Sequence, residues 1–370
     1  WLVCTSLSGF WLGGFVDRYR KKSVMLGSSL VSLVVFAIAF VVYLLAPEGT
    51  FKLVDSVWLW VLVMLCVIGA TAGNIRPIAL ATSVTLLFPP DGRDKANGMT
   101  GMAMGISFLI VSVISGFLVA WGGMLYVFMF SLVFTVAAII HLVLVSLPEP
   151  EIVHTEGGPG MVDVRGTIKA IREVPGLFPL IFFTTFNNFL GGVFMSLMDA
   201  YGLSMVSVQM WGLLWGLLST AFIIGGIVIS KYGLGKNPLR ALFLANIVIW
   251  ATSAVFTIQP SILLLIAGSF VYLAVVPFIE ASEHTVVQKV VPPERQGRVF
   301  GFAQSVEMSA SPLTAFMIGP IAQFIFIPFM TTGSGVQLIG SWFGTGQARG
   351  IALVFVVTGI IGLIVTLIAF

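Results

Sequence analysis

Five ionisable side chains stand inside long apolar stretches of this sequence. They are Arg76, Glu280, Glu283, His284 and Glu307. A charged group is costly in a hydrocarbon environment, and the few that occur there commonly carry protons or bind ions and substrates. Carboxylates and an imidazole can take up and release a proton. These five residues are therefore the first candidates for chemistry in this chain.

The spacing of three of these residues places them together. Glu280, Glu283 and His284 are three and four residues apart, so a helix presents them on one face, and Pro277 predicts a bend just before them. We expect Glu280 or Glu283 to exchange a proton, His284 to tune that carboxylate or to titrate itself, and Arg76 to be a charge partner. The sequence leaves open the alternative that all of these charges are structural.

Two neighbouring amides form a second polar feature. Asn187 and Asn188 fall about midway along the apolar stretch 176–200. A paired amide there can hydrogen-bond a substrate or a neighbouring helix. Asp199, near the far end of the same stretch, is interpreted as a solvated helix end.

The composition identifies the surroundings of these residues. Of 370 residues, 58% are hydrophobic and 9% are charged, against roughly 25% charged in an average soluble domain. Such a chain cannot cover a water-exposed surface, and its apolar content is too high for intrinsic disorder. The two cysteines exclude a disulfide scaffold. The solvent of this protein is therefore largely lipid.

Charges and Gly/Pro clusters predict an all-α membrane protein with eleven spans of about 20 residues each. Placing the loop 15–22 in the cytoplasm puts all 18 Lys and Arg except Lys52, Arg76 and Arg349 in cytoplasmic segments, as the positive-inside rule requires. The predicted spans are 1–14, 23–46, 57–87, 97–121, 123–146, 176–200, 209–230, 239–258, 261–288, 298–329 and 348–370.

An internal repeat relates the two halves of the chain. FPPDGRDKANG at 88–98 aligns without a gap with VPPERQGRVFG at 291–301. A parallel repeat of this kind is typical of secondary transporters. It predicts a 6+6 helix bundle of two pseudo-symmetric halves, with the first helix missing before Trp1. The expected parts are an N-terminal half over 1–146, a cytoplasmic linker with a basic amphipathic helix over 147–175, and a C-terminal half over 176–370.

The first basic loop, GGFVDRYRKK, resembles the signature loop of the major facilitator superfamily. The residues that fit the pattern are Gly13, Asp17, Arg18, Arg20 and Lys21. The resemblance covers the whole chain and implies a transporter with alternating access. It also implies that these five residues form a cytoplasmic gate, in which an Asp–Arg charge network and an Asp at a helix N-terminus close the inner side. Ile229 or Ser230 stands at the position of Asp17 in the second half, so the gate is expected to be asymmetric.

Within that superfamily, the two Pro-Pro-acid loops and the GRVFG segment resemble the macrolide-efflux and siderophore-exporter branch. The resemblance implies a proton antiporter that exports small amphipathic molecules from a bacterial inner membrane. Two motifs depart from the drug-antiporter pattern: the stretch 105–123 lacks the expected proline, and Leu65 stands where an arginine is expected. A siderophore or metabolite exporter, or an importer of the same fold, remains the alternative.

Other function classes find little support in the sequence. The three histidines are scattered, and the sequence contains no nucleophile–base set, no metal-ligand cluster and no phosphate-binding loop. We therefore expect no enzyme activity, no cofactor, no metal and no nucleic-acid partner. The expected partners are a small-molecule substrate, protons and membrane lipids, with the chain as a monomer. A non-transporting membrane scaffold or receptor is the alternative of another class.

Overall fold

The structure is a computed structural model, and it describes residues 2–47, 49–149 and 164–370. Helices make up the regular secondary structure of these residues, as expected where lipid leaves backbone groups no partner outside their own segment. The first part of the predicted linker, 150–163, lies outside the described residues.

Ten of the predicted spans are confirmed as helical segments of the described chain that are long and apolar enough to cross a membrane. Residues 2–14 of the first predicted span are also helical, but their helix has only 17 residues. The total of eleven spans and a missing twelfth stays a prediction. The long helices are α1 (Leu2–Arg18), α2 (Lys21–Leu45), α3 (Val57–Gly73), α4 (Ile75–Leu87), α5 (Arg93–Leu144), α6 (Val164–Glu173), α7 (Leu177–Leu203), α8 (Val208–Tyr232), α9 (Pro238–Val255), α10 (Ile262–Val290) and α11 (Gln296–Ile321).

Two spans are interrupted within their length, and a kink separates two others. The span 57–87 breaks at Asn74 between α3 and α4. Within α5, Gly123 has φ +62° and ψ −153°, a conformation open only to glycine, and it separates the predicted spans 97–121 and 123–146. After α11 the chain makes one π-helical turn, Ala322–Phe326. It continues through α12 (Ile327–Thr331), α13 (Ser334–Leu338) and α14 (Gly340–Phe343) to α15 (Gln347–Ala369).

The predicted amphipathic helix of the linker is present as α6. Its basic residues Arg165, Lys169 and Arg172 are exposed, whereas Ile171 is buried. Val164, which the pattern placed on the apolar face, is exposed as the first residue of the helix.

The described contacts group the chain into two compact units. Unit 1 comprises Trp1–Pro89, Ser112–Phe178 and Val290–Val306, and unit 2 comprises Pro90–Val111, Pro179–Lys289 and Glu307–Phe370. Each unit therefore contains a short segment from the other predicted sequence half: 290–306 in unit 1 and 90–111 in unit 2. Segment 290–306 contains the second Pro-Pro loop of the repeat, and segment 90–111 begins at the last proline of the first.

Each unit has its own apolar core. In unit 1, Ala39, Leu62 and Phe128 are buried together between α2, α3 and α5. In unit 2, aromatic side chains from α7, α9 and α15 form a larger core, in which the rings of Phe194 and Phe355 stack at 5.0 Å. These cores fix the helices that carry the candidate site residues.

Candidate functional site

A pair of carboxyl groups lies inside unit 2. The carboxyl groups of Glu283 on α10 and Glu307 on α11 lie within hydrogen-bonding reach of each other. Both side chains are enclosed by protein but retain some accessible surface. An ionised carboxylate only accepts hydrogen bonds, so a hydrogen bond between these two groups needs a proton on one of them. The pair can therefore hold one proton between two helices.

A hydroxyl group completes this pair. Thr184 on α7 donates through Oγ1 to Glu307 Oε1 at 2.7 Å, and the same oxygen lies 3.1 Å from the carbonyl oxygen of Ile181. A hydroxyl has one hydrogen, so Thr184 can donate to only one of these acceptors. When it donates to Ile181, it can accept a hydrogen bond from a protonated Glu307. Thr184 thus suits either protonation state of the pair, and it was not predicted as a site residue.

Glu280 and His284 lie beside this pair on the same helix. The carboxyl of Glu280 is close enough to Glu283 and Glu307 to interact electrostatically with both. His284 follows Glu283 directly and is half-buried. The structure thus brings the predicted Glu280, Glu283 and Glu307 into one cluster, and His284 adjoins it.

The two predicted amides bond to protein groups. Asn187 Oδ1 accepts from the indole Nε1 of Trp250 on α9 at 2.6 Å, and its Nδ2 donates to Phe183 O at 2.8 Å. Asn188 Nδ2 donates to Thr184 O at 3.1 Å. For Asn187 the geometry favours the second of the two interpretations, a hydrogen bond between neighbouring helices.

Arg76 belongs to unit 1 and interacts locally. It is the second residue of α4 and folds back onto the end of α3, where its Nε lies 3.4 Å from Gly73 O. A guanidinium at this point complements the negative end of the α3 dipole. Its predicted role as a charge partner of the carboxylates stays a prediction.

Glycines bring α1 and α11 into direct backbone contact in unit 1. A Cβ atom at Gly13 would lie 2.5 Å from Gly297 O, and one at Gly9 would lie 2.6 Å from Gly301 O. These four residues form two i, i+4 glycine pairs, which are typical of closely packed membrane helices. The contact joins a helix of the first sequence half to the start of a helix of the second half. Of the four glycines, only Gly13 was predicted as a site residue.

Asp17 completes this contact at the N-terminus of α11. Its Oδ1 accepts from Gly297 N at 2.6 Å, and its Oδ2 accepts from Arg298 N and from Arg298 Nε, each at 3.0 Å. Only 4% of the Asp17 side chain is exposed. Burial raises the pKa of Asp17 above its usual value, and the hydrogen bonds and charge of Arg298 oppose that shift. Asp17 thus caps two backbone N–H groups that the helix leaves unpaired.

The remaining residues of the signature loop have different surroundings. Arg18 and Arg20 are exposed. The backbone N–H groups of Lys21 and Lys22 donate to the two carboxylate oxygens of Glu149 at 2.6 and 2.7 Å, which caps the start of α2. The charge partner of Asp17 is Arg298, outside the loop, and no residue spacing within the loop indicated it.

A similar glycine contact joins α5 and α8 in unit 2. Here the acid lies at the start of a helix, α5, whereas in the α1–α11 contact it lies at the end of a helix, α1. Gly98 at the start of α5 packs against Ile229 of α8, and Gly226 of α8 packs against Met102. Asp94 Oδ2, on the second residue of α5, accepts from Leu234 N at 2.8 Å. The predicted asymmetry thus has a structural counterpart: no acid follows α8, and the acid comes from the start of α5 instead.

Two further hydrogen bonds occur at equivalent positions of the internal repeat. In unit 1, Thr85 Oγ1 donates to Gln296 Oε1 at 2.7 Å. In unit 2, Arg93 Nη1 donates to Gln288 O at 2.6 Å. The alignment of 88–98 with 291–301 pairs position 85 with 288 and position 93 with 296. The two bonds therefore occur at equivalent positions, which supports the parallel repeat.

A buried arginine at the start of α15 was not predicted as a site residue. Arg349 is 4% exposed and stands at the start of α15. It donates to Phe343 O at 2.6 Å, to Thr257 O and Ile258 O at 2.9 Å each, and to Tyr201 Oη at 3.0 Å. This single side chain links four segments of unit 2.

Metal-binding geometry is not found in the described part of the chain, where no group of three or more His, Cys, Asp or Glu side chains is arranged to hold an ion.

Curated relatives are macrolide efflux proteins. The chain is 22% identical over 344 residues to macrolide efflux protein A of Streptococcus pyogenes, an alignment that covers 89% of this chain and 80% of the relative. It is also 22% identical over 318 residues to macrolide efflux protein A of Enterococcus faecalis, covering 82% of this chain and 92% of the relative.

Solved transporters share the fold. The human organic anion transporter TETRAN matches with a TM-score of 0.71 at 14% identity, over 99% of this chain and 81% of its own. A bacterial homologue of the iron transporter ferroportin, in its outward-facing state, matches with a TM-score of 0.65 at 14% identity, over 99% and 87% of the two chains.

The sequence model of the Major Facilitator Superfamily matches residues 1–315. The helical fold, the signature loop at Asp17 and the curated relatives agree with this match. The chain therefore belongs to the Major Facilitator Superfamily, and it is a multi-pass membrane transporter rather than an enzyme.

Proposed function

We propose that this protein exports small amphipathic molecules of the macrolide type across a bacterial cytoplasmic membrane, in exchange for protons. The curated relatives, both macrolide efflux proteins of bacteria, support the substrate class and the direction. The protein acts as a monomer and needs no cofactor.

One observation carries the proton-coupling part of the proposal: the close approach of the Glu283 and Glu307 carboxyl groups inside two apolar spans. Two neighbouring carboxyl groups titrate as a pair, because the charge on one opposes ionisation of the other. A pair that keeps one proton in one state of the transporter and loses it in another couples proton flow to that change. Thr184 contributes a hydroxyl that can serve both states.

The two glycine contacts support the alternating-access part of the proposal. The α1–α11 and α5–α8 contacts lie next to the basic loops, which the positive-inside rule assigns to the cytoplasm. We take both contacts as cytoplasmic gates, closed in this structure. When they open, backbones that now touch must separate, and Asp17 must release the N-terminus of α11.

The test is proton-driven transport of erythromycin in proteoliposomes. We expect Glu283→Gln and Glu307→Gln each to lower transport driven by an imposed pH gradient at least tenfold. Substrate exchange without a gradient should continue, because glutamine keeps the size of the side chain but cannot release a proton. Glu294→Gln, an exposed carboxylate before α11, is the matched control and should transport normally.

Full gradient-driven transport by both glutamine variants would exclude the pair as the proton carrier. Loss of exchange together with coupling would indicate a structural role instead. Absence of erythromycin transport by the wild-type protein, in any gradient, would reject the macrolide-type substrate.

A further inference from the structure

A second candidate site in unit 2 surrounds Asp199, which lies about one helical turn before the end of α7 and far from the carboxyl pair in sequence. A cavity of about 280 Å³ opens between α7, α8 and α10. Its lining combines aromatic rings with a single carboxylate and a single serine, and no lysine, arginine or histidine belongs to it. The residues that matter below are Phe194, Asp199, Trp211, Trp215, Ser269 and Tyr272.

Two indole groups orient the carboxylate. Trp211 Nε1 donates to Asp199 Oδ1 at 2.9 Å, and Trp215 Nε1 lies 3.3 Å from the same oxygen. Neither indole uses Oδ2. The aspartate is exposed, so its charge is available to a ligand that enters the cavity.

Aromatic rings form the walls around this charge. The rings of Trp211 and Trp215 meet edge to face at 6.0 Å, and Phe194 packs against Tyr272 at 5.7 Å. Aromatic faces attract cations, most strongly where water is excluded. A wall of this kind beside a carboxylate favours a cation that also carries apolar surface.

Two smaller residues indicate that the cavity is built to be occupied. The Ser269 side chain lines the cavity and is buried, yet its Oγ has no hydrogen-bond partner among the described residues. A buried hydroxyl without a partner is costly, and a ligand would remove that cost. A Cβ atom at Gly191 would come no nearer than 4.0 Å to Tyr272 Oη, so glycine keeps this side open.

We propose that this cavity binds an amphipathic organic cation, with the ammonium group at Asp199 and the apolar part against the aromatic rings. The inference rests on the proposed export function, whose substrate class it narrows to molecules with a basic amine. It also assigns Asp199 a binding role, in place of the solvated helix end that the sequence suggested.

The test measures direct binding by calorimetry, with the full chain in phosphatidylglycerol nanodiscs. Phenyltrimethylammonium is the probe, and benzenesulfonate is an aromatic ion of opposite charge. We expect the wild-type protein to bind the cation and not the anion. Asp199→Asn should weaken cation binding at least tenfold, since asparagine keeps an oxygen for the indoles but removes the charge. Asp55→Asn, at an exposed acid in the loop before α3, is the matched control and should bind the cation as the wild-type protein does.

A second variant distinguishes loss of the binding site from misfolding. Gly191→Leu fills the cavity without changing its charge, and it should abolish cation binding while the melting temperature stays within a few degrees of wild type. Equal wild-type binding of both probes, or unchanged cation affinity in Asp199→Asn and Gly191→Leu, overturns the proposal. If phosphatidylethanolamine, added to the phosphatidylglycerol of the nanodiscs, competes with the probe, the occupant is a lipid headgroup and the assignment to a transported cation is wrong.

Binding and transport fail separately in these experiments. A chain that transports erythromycin but does not bind phenyltrimethylammonium refutes the cation cavity and leaves the export function intact. A chain that binds the cation at Asp199 but moves no macrolide keeps the cavity and refutes that substrate.

Discussion

Replacing Asp17 by asparagine should open the contact between α1 and α11. In the structure, Asp17 Oδ1 accepts from Gly297 N, and Oδ2 accepts from both the backbone and the side chain of Arg298. Asparagine has one oxygen and one NH₂ group. If its oxygen stays on Gly297, its NH₂ group faces two donors, and both hydrogen bonds to Arg298 are lost.

The size of the effect follows from these bonds. A hydrogen bond to a charged group contributes about 1.5–3 kcal/mol. The Arg298 side chain is 18% exposed, so water replaces part of the loss. We estimate a net cost of about 2–4 kcal/mol for the closed contact. Since about 1.4 kcal/mol changes an equilibrium tenfold, the closed population should fall about 30-fold to 700-fold relative to the open one.

Spin-label distances measure this population directly. Labels at Tyr19 and Glu294, both exposed in unit 1, report the separation of the two helix ends once Cys4 and Cys66 are replaced by serine. The wild-type protein should show one short distance, and Asp17→Asn should add or substitute a longer one. Asp91→Asn, at another exposed acid near a basic loop, should leave the distribution unchanged.

The double variant Asp17→Asn/Arg298→Gln sharpens the result. If the two residues act through one shared contact, its effect should be well below the sum of the single effects. A single short distance in Asp17→Asn, equal to that of the wild-type protein, would refute the reasoning that Asp17 holds the contact closed.

Two other residues give independent predictions. Gly13→Ala should disrupt the α1–α11 contact, because its Cβ would lie 2.5 Å from Gly297 O. The control Gly27→Ala should leave the contact intact, because its Cβ meets no atom within 4 Å. The same spin labels distinguish the two variants, and equal distances in both would contradict the close approach. Arg349→Met should destabilise the protein by about 3–5 kcal/mol, because removing the guanidinium leaves three carbonyl oxygens of unit 2 without this donor, at a cost of about 1–3 kcal/mol each where they stay buried. Thermal unfolding in detergent measures this, with Lys52→Met as the exposed control and an unchanged midpoint as the contrary result.

The helices were predictable because lipid forces a simple pattern on the sequence. A backbone in hydrocarbon must bond within its own helix, so about 20 apolar residues in a row already identify a span. The residues that share a face were predictable for the same reason. Glu280, Glu283 and His284 follow helical spacing, and the structure places them on one helix as expected.

Partners on different helices were not predictable in this way. Glu283 and Glu307 are 24 positions apart on two helices, and nothing in their spacing indicates that they meet. The hydrogen bond between Asn187 and Trp250 also joins two helices, and no sequence signal indicates it. The charge rule indicated only that Arg349 lies outside the cytoplasmic segments, and its acceptors are mostly backbone carbonyls, which no side-chain pattern reveals. The Gly9–Gly13 and Gly297–Gly301 spacings were the one signal that could have located the α1–α11 contact.

The two glycine contacts differ in how much electrostatic stabilisation their acidic residues, Asp17 and Asp94, obtain when the contact is closed. Asp94 is the second residue of its own helix, α5, so the positive end of that helix dipole stabilises it whether or not Leu234 is in contact. Asp17 lies at the end of α1 and meets the positive end of a helix only when α11 is against it. Opening therefore removes a charge–dipole interaction at Asp17 but not at Asp94. The electrostatic cost of opening is concentrated in the loop that carries the family signature, although glycine packing is present at both contacts.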